Sequence, residues 1–316
     1  MRERHARAVA MEVSSHALAL HRVAGSHFKV SGFTNLTQDH LDFHVTMERY
    51  FEAKASLFKY GFSDLAVINI DDTYGAKLLA QIEIPAVTVS RTGQADWRYE
   101  EINKFNRGTS VKIRGRDGIL IEGTTKLLGD YNLDNLLMAV AIAVISGIDP
   151  IEIGSNLQHY VGAPGRVEQI EIGQDFMAFV DYAHTHDAVI NVLKNARQFT
   201  TGKLIAVLGC GGDRDKSKRP LMGQALTLAD YPIFTSDNPR SEDPGQILKE
   251  MTDGIRHNGE VISDRRTAIA RAVELANAGD VIAILGKGHE TGQEIKGEKF
   301  QFDDRKELIN AIAGRK

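Results

Sequence analysis

Short apolar runs alternate with segments of helical period along almost the whole chain. In the first half, Val9–Val13, Val30–Asn35, Leu65–Ile70 and Ala86–Ser90 read as buried strands. Met47–Tyr60 has a helical period that crowds Tyr50, Phe51, Lys54, Leu57 and Phe58 on one side. Ser110–Arg114 and Gly118–Glu122 predict a hairpin turning around Arg116-Asp117-Gly118. Tyr131–Ile145 is strongly apolar and rich in alanine, which predicts a helix inside a core. A Gly/Pro cluster, Gly162-Ala163-Pro164-Gly165, then interrupts the pattern and marks a domain boundary. After it, Met177–Tyr182, Lys203–Gly209, Tyr231–Thr235, Val261–Ser263 and Asp280–Leu285 read as strands with helices between them. The expected fold is α/β, with two doubly wound sheets in domains spanning residues 1–163 and 164–316.

Composition narrows the class. At 316 residues, 42% hydrophobic and 25% charged, the chain is an ordinary globular protein with room for two cores. A net charge of −4 and the lack of a long basic run argue against a nucleic-acid partner; the opening Arg2-Glu3-Arg4-His5-Ala6-Arg7 is short and mixed. No apolar stretch reaches membrane-spanning length, and no signal-peptide core opens the chain. Cys210 is the single cysteine, which rules out an internal disulfide framework and suits a reducing cytoplasm.

In open α/β sheets ligands collect beyond the carboxyl ends of strands, and the polar clusters of this chain fall at such predicted ends. Glu12 is followed by Ser14-Ser15-His16, and Asn35 by Asp39-His40 and His44. Asp181 precedes Tyr182-Ala183-His184, and Gly209 leads into Cys210-Gly211-Gly212-Asp213-Arg214. Asp237-Asn238-Pro239-Arg240 and Gly286-Lys287-Gly288-His289-Glu290 follow two further strands. Each has a plain reading beside a chemical one. Glu12 and His40 can share a divalent cation, or form a hydrogen-bonded surface pair. Lys54 can extend its amine to water, or be held partly desolvated, become nucleophilic and add carbon dioxide to give an anionic carbamate. Asn132 and Asn135 sit at helical spacing and can face a cleft with Arg166 on a phosphate, or be a helix cap and a surface ion pair. Asp237-Asn238-Pro239-Arg240 can be an Asx-Pro turn, or grip an amino acid at both charged ends, Arg240 taking a carboxylate and Asp237 an ammonium.

Taken together, these tracts resemble the Mur ligase family of peptidoglycan biosynthesis. The resemblance is carried by MEVSSHAL at Met11–Leu18, TNLTQDHLDFH at Thr34–His44, EAKASLF at Glu52–Phe58 and GDYNLDN at Gly129–Asn135. It continues through APGRVE at Ala163–Glu168, VDYAHT at Val180–Thr185, GCGGDRD at Gly209–Asp215, DNPR at Asp237–Arg240 and GKGHE at Gly286–Glu290. The order is the family's and the tracts span the chain. The resemblance implies a P-loop-type central ATPase domain and a Rossmann-like C-terminal domain that binds the incoming amino acid. It implies that Lys54 is carbamylated, and that Glu12, His40 and the Lys54 carbamate hold Mg2+. Asn132, Arg166 and Asp181 match residues around ATP, with Arg166 on phosphate and Asp181 near the ribose. Ser14 and Arg22 match contacts to UDP-MurNAc-L-Ala-D-Glu. Arg214, Asp237, Asn238, Pro239, Arg240, Gly286 and Glu290 match the amino-acid pocket, and the arginine closing DNPR implies meso-diaminopimelate rather than L-lysine. Lys54, His40 and Arg166 are the implied catalytic residues. The implied reaction is ATP-dependent amide formation through an acyl phosphate, carried out by a cytoplasmic monomer.

Three departures qualify that expectation. No Gly-x-x-Gly-Lys-Thr phosphate loop and no uridine-binding domain is found, so the chain reads as the C-terminal two thirds of such a ligase. On that reading it is weakly active or inactive alone, an amino-acid-binding module or a fragment, with an exposed sheet edge that favours aggregation. Leu20 stands where a glutamine often meets the dipeptide, and His186 replaces a proline at a helix start.

Overall fold

The computed structural model describes residues 8–37, 40–105 and 108–315, so Arg2–Arg7 and Asp39 lie outside the described residues. The chain divides into two units, the first comprising residues up to Lys126 with Asp130–Tyr160, the second Leu127–Gly129 with the remainder from Val161.

The first unit runs α1 (Ser15–Ala19), β1 (Ser31–Phe33), α2 (Leu41–His44), α3 (Met47–Ala55), β2 (Ala66–Asn69), α4 (Thr73–Gln81), β3 (Ala86–Ser90), β4 (Trp97–Phe105), β5 (Gly108–Arg114), β6 (Leu120–Thr125), α5 (Asp130–Ile145) and α6 (Pro150–Asn156). Its strands form one six-stranded sheet in sequence order. β1 to β4 pair in parallel, and β4 to β6 are antiparallel. The expected hairpin is β5–β6, where Asp117 (φ 56°) and Gly118 (φ 78°) take the left-handed backbone that a tight two-residue turn needs. β4 was not predicted because its outer half is charged and exposed. Phe33, Phe51, Phe58, Ile68 and Leu78 centre the core on one side of this sheet.

One expected strand does not form. Val9–Val13 is irregular, with Val9 57% and Met11 52% exposed. An apolar run gains its ladder only where a neighbouring strand is in register. Among the described residues β1 pairs only with β2, and nothing pairs with residues 9–13.

The second unit runs β7 (Glu168–Gln169), β8 (Met177–Asp181), α7 (His186–Arg197), β9 (Leu204–Cys210), α8 (Lys218–Leu226), β10 (Tyr231–Ser236), α9 (Pro244–Thr252), β11 (Glu260–Val261), α10 (Arg265–Leu275), β12 (Val281–Leu285), β13 (Gly292–Ile295), β14 (Glu298–Gln301) and α11 (Asp304–Gly314). The sheet order is β11-β10-β9-β12-β8-β7, parallel except for β7. β12 returns between β9 and β8, so the order reverses there and leaves a crevice at the carboxyl ends, the usual ligand edge. β8, β9, β10 and β12 are buried almost throughout, which is why they read as continuous apolar runs. His186 opens α7, and the Thr185 hydroxyl before it caps the helix by accepting from the Ala188 amide. No described helix is long and apolar enough to cross a membrane.

A buried ion pair ties the carboxyl edge of this sheet together. Arg265 and Asp304 are both fully buried and meet in a two-pronged contact of 2.8 and 2.7 Å. The same guanidinium donates to the Leu285 carbonyl at the end of β12 (2.9 Å) and reaches the Ser236 carbonyl at the end of β10 (3.5 Å). Asp304→Asn removes the charge that compensates Arg265 and is expected to destabilise the protein by about 3–5 kcal/mol in urea unfolding. Glu307→Gln, which breaks the exposed Arg266–Glu307 pair, is expected to change stability far less. Equal effects of the two would contradict the clamp.

Candidate functional site

In the first unit the predicted residues gather around α3. Thr46 caps this helix, accepting from the Arg49 amide, and Tyr50 and Lys54 then fall one turn apart. The Lys54 ammonium lies 5.8 Å from the Tyr50 ring centroid. Burial pulls the Lys54 amine below the ordinary lysine range, while the carboxylates of Glu12 and Asp72 hold it up. The charge of Glu12 therefore acts on Lys54. His40 sits in left-handed backbone (φ 53°), its ring 4.7 Å from His16 and 6.1 Å from Tyr50. His44 stacks on Tyr50 at 4.9 Å and hydrogen-bonds Ser15 Oγ at 2.9 Å. Ser14 caps α1, its hydroxyl accepting from the Ala17 amide, and Arg22 lies exposed just beyond that helix. Leu20 is 49% exposed. Asp72 was not foreseen. It caps α4 by accepting from the Tyr74 and Gly75 amides, and an aspartate before a helix after a strand was the available signal. No three His, Cys, Asp or Glu side chains converge to hold a metal among the described residues.

Asn132 is buried in the first turn of α5, whereas Asn135 is exposed, so the two do not share a facing as the spacing suggested. The acids beside them are tied to the sheet: Arg91 pairs with Asp134 (2.7 Å) and Asp130 (3.4 Å), and Lys104 with Asp130 (2.6 Å).

In the second unit Asp181 ends β8. Its two oxygens accept from the Val167 and Ala183 amides at 2.8 and 2.7 Å. Burial raises its pKa, opposed by those amides and by Arg166. The carboxylate thus fixes the Gly165–Val167 loop, and Arg166 lies exposed with its guanidinium 5.2 Å from the Tyr182 ring centroid. Gly165 is required here: a Cβ would stand 2.4 Å from the His289 amide nitrogen, and its φ is 70°.

The Asp-Asn-Pro-Arg and Gly-Lys-Gly-His-Glu loops leave β10 and β12 and are joined by a residue the sequence did not single out. Lys287 has a fully buried side chain, and its Nζ donates to Asp237 (3.2 Å), Asn238 Oδ1 (3.1 Å) and Glu290 (3.2 Å). Asn238 also donates to Glu290 at 3.2 Å. Gly286 (φ 110°) lies so close that a Cβ would be 3.2 Å from Asp237 Oδ2. Pro239 is buried, and Gly212 allows its carbonyl to approach, since a Cβ there would stand 1.9 Å from that oxygen. Arg240, in left-handed backbone (φ 50°), donates from Nη1 to the Gly212 carbonyl at 2.6 Å. Arg214 is exposed on the neighbouring loop. Cys210 is not a nucleophile here: burial and nearby Asp237 push its thiol up to about 12. Two acids around one buried amine, next to a guanidinium, form a surface that can take an ammonium and a carboxylate.

Nearly the whole chain is similar to known proteins. Residues 1–143 match the Mur ligase middle domain and residues 165–288 the Mur ligase glutamate ligase domain. A UDP-N-acetylmuramoyl-L-alanyl-D-glutamate–2,6-diaminopimelate ligase of Streptomyces coelicolor is 46% identical over 322 residues, covering 99% of this chain and 64% of that protein. The same-named protein of Aquifex aeolicus is 45% identical, with 98% and 64% covered. A solved structure of a ligase of that name aligns with a TM-score of 0.68 at 40% identity, over 96% of this chain and 64% of the other. UDP-N-acetylmuramate-alanine ligase of Thermotoga maritima, at 17% identity and a TM-score of 0.63, shares the fold. The chain belongs to the Mur ligase family, whose middle and C-terminal domains it contains. It spans about 64% of the length of these curated relatives.

The lowered pKa of Lys54 has a direct readout. In buffer free of carbon dioxide, acetylation of Lys54 followed by mass spectrometry is expected to titrate with a midpoint below about 10.4, the ordinary lysine value. Glu12→Gln removes a charge that favours the ammonium, so the midpoint falls further. A midpoint that rises in Glu12→Gln would contradict the arrangement.

Proposed function

We propose that this chain carries the middle and amino-acid-binding parts of an ATP-dependent amide ligase of peptidoglycan precursor synthesis, which joins meso-diaminopimelate to the D-glutamate γ-carboxylate of UDP-MurNAc-L-Ala-D-Glu. We assign the ATPase part to residues 1–163 and the amino-acid part to residues 164–316. The observation that carries the reading is the loop cluster at the ends of β10 and β12, where Asp237 and Glu290 surround Lys287 and the same loop as Asp237 carries Arg240, whose guanidinium is held on the Gly212 carbonyl. Diaminopimelate has a distal carbon bearing both an ammonium and a carboxylate, and L-lysine lacks that carboxylate. Arg240 distinguishes the two by pairing with it, while Asp237, Asn238 and Glu290 orient the ammonium groups, and Arg214 and Gly286 close the pocket.

In this mechanism a γ-carboxylate oxygen attacks the γ-phosphorus of ATP, the bond to the ADP oxygen breaks, and an acyl phosphate forms. The amine nitrogen of diaminopimelate then attacks the acyl carbon, loses a proton, and phosphate departs with the broken C–O bond. In the second unit Arg166 neutralises phosphate charge, positioned by the loop that Asp181 fixes, and Asp181 meets the ribose; in the first unit Asn132 is assigned to ATP. Ser14 and Arg22 meet the UDP-muramoyl-dipeptide.

Glu12, His40 and Lys54 as its carbamate would hold Mg2+. So small a protein donor set suits an ion that keeps several of its own waters. Mg2+, when bound, supplies charge neutralisation at the phosphates. The lowered pKa of Lys54 supports the carbamate, since only the neutral amine adds carbon dioxide, forming an N–C bond and releasing a proton. The single, buried cysteine suits the reducing cytoplasm we assign to the chain.

Calorimetric titration tests the reading. Meso-diaminopimelate is expected to bind and L-lysine to bind much more weakly. Arg240→Ala is expected to lose about 10- to 100-fold in diaminopimelate affinity, the usual weight of a charge-assisted pair. Equal binding of the two amino acids by the unaltered chain would refute it.

A further inference from the structure

We propose that Glu294 is a specificity-determining residue: it is the resident counter-ion of Arg240, and a substrate's distal carboxylate must displace it. The inference rests on the reading of Arg240 as the carboxylate-binding group. It begins with the β13–β14 hairpin, whose Lys296-Gly297 turn has two left-handed residues (φ 51° and 81°). This hairpin lies along the Asp-Asn-Pro-Arg loop and is bonded to it repeatedly. Gln293 Nε2 donates to the Asp237 carbonyl at 2.6 Å, and the Glu294 amide donates to Asn238 Oδ1 at 3.0 Å. The Arg240 amide donates to the Glu294 carbonyl at 3.0 Å, and the Lys296 amide to the Arg240 carbonyl at 2.6 Å. The backbone of Glu294 is therefore fixed from both sides, and its side chain is delivered to one place.

That place is the Nε edge of Arg240, where Glu294 Oε2 stands at 3.5 Å. The two ends of the guanidinium are held unequally. Nη1 makes a short bond to the Gly212 carbonyl at 2.6 Å, whereas 3.5 Å at Nε is longer than a good hydrogen bond. A carboxylate gripped by an arginine fork needs two adjacent N–H groups. The loosely held Nε edge is the one to yield, and Glu294 is what stands on it. Both side chains are partly exposed, 22% for Arg240 and 34% for Glu294, so their attraction is screened and reversible.

The consequence is an exchange of carboxylates. An amino acid with a distal carboxylate replaces Glu294 on Arg240, and the Glu294 side chain turns to water. An amino acid without one leaves the Arg240–Glu294 pair undisturbed and gains nothing from Arg240. Glu294 thereby lowers the affinity for the carboxylate-bearing substrate and leaves the other unaffected.

Glu294→Gln removes the charge and keeps the shape. The backbone bonds that fix the hairpin are untouched, and an unchanged thermal transition verifies this. The full 316-residue chain and the variant are titrated calorimetrically with meso-diaminopimelate and with L-lysine. The variant is expected to bind diaminopimelate about two- to fivefold more tightly, the range for releasing an exposed ion pair, with lysine affinity unchanged. Raising the salt concentration is expected to narrow the gap between the two proteins. Unchanged or weaker diaminopimelate binding by the variant, or equal tightening toward lysine, overturns the role of Glu294 and leaves the pocket standing. If neither protein binds diaminopimelate, the reading of the pocket falls and this inference falls with it.

Discussion

The amine of Lys287 has no access to water, and the carboxyl edge of the second unit is organised around that fact. A buried cation must be compensated by charge and hydrogen bonds, or its desolvation is not offset. Compensation comes from Asp237 and Asn238 on one loop and from Glu290 on its own loop, so segments far apart in sequence have to meet at one point. Three acceptors fill the three donors of the ammonium. The two loops are thereby held in register, and Arg240 is carried to its position by the same constraint. One amine between two carboxylates leaves the cluster with a net negative charge, which suits a cationic ligand group.

Two further buried guanidinium groups surround this arrangement. Arg265 with Asp304 anchors the ends of β10 and β12 from below, and Arg219, 1% exposed, pairs with Glu242 and Glu250 beside the Gly211–Asp213 loop. Such pairs add little net stability over well-packed apolar residues, but breaking one leaves an uncompensated charge. Their effect is to penalise every conformation in which the loops separate. Rigid strand ends and polar loops then divide the labour. The strands are apolar and buried, while the loops carry nearly all the groups with chemistry.

Legibility in the sequence followed burial. β2, β8, β9, β10 and β12 were readable because they are buried almost throughout and appear as largely apolar runs, and β3 because its β-branched valines alternate with half-buried positions. β4 was missed because Arg98, Glu100, Glu101 and Lys104 hide its alternation, and β13 and β14 because they bury little. Val9–Val13 misled for the opposite reason: all its residues but Glu12 are apolar, yet they find no neighbouring strand. The polar clusters of the second unit were found because they sit where strands end, whereas the Glu12 cluster follows a segment that forms no strand. What could not be read was how they connect. Lys287 was one lysine in a glycine-rich loop, and Glu294 lay in a stretch where no element was expected, since nothing local marks a residue with partners about 50 positions away. Asp72 was hidden in the same way, its helix-capping role masking its closeness to Lys54.

The most direct test of the central claim is a crystal structure of the chain bound to meso-diaminopimelate. The account predicts the distal carboxylate on the Nε edge of Arg240, with an ammonium beside Asp237 and Glu290, and Lys287 unmoved between them. Density for the amino acid away from the ends of β10 and β12, or a ligand carboxylate that makes no contact with Arg240, would contradict it.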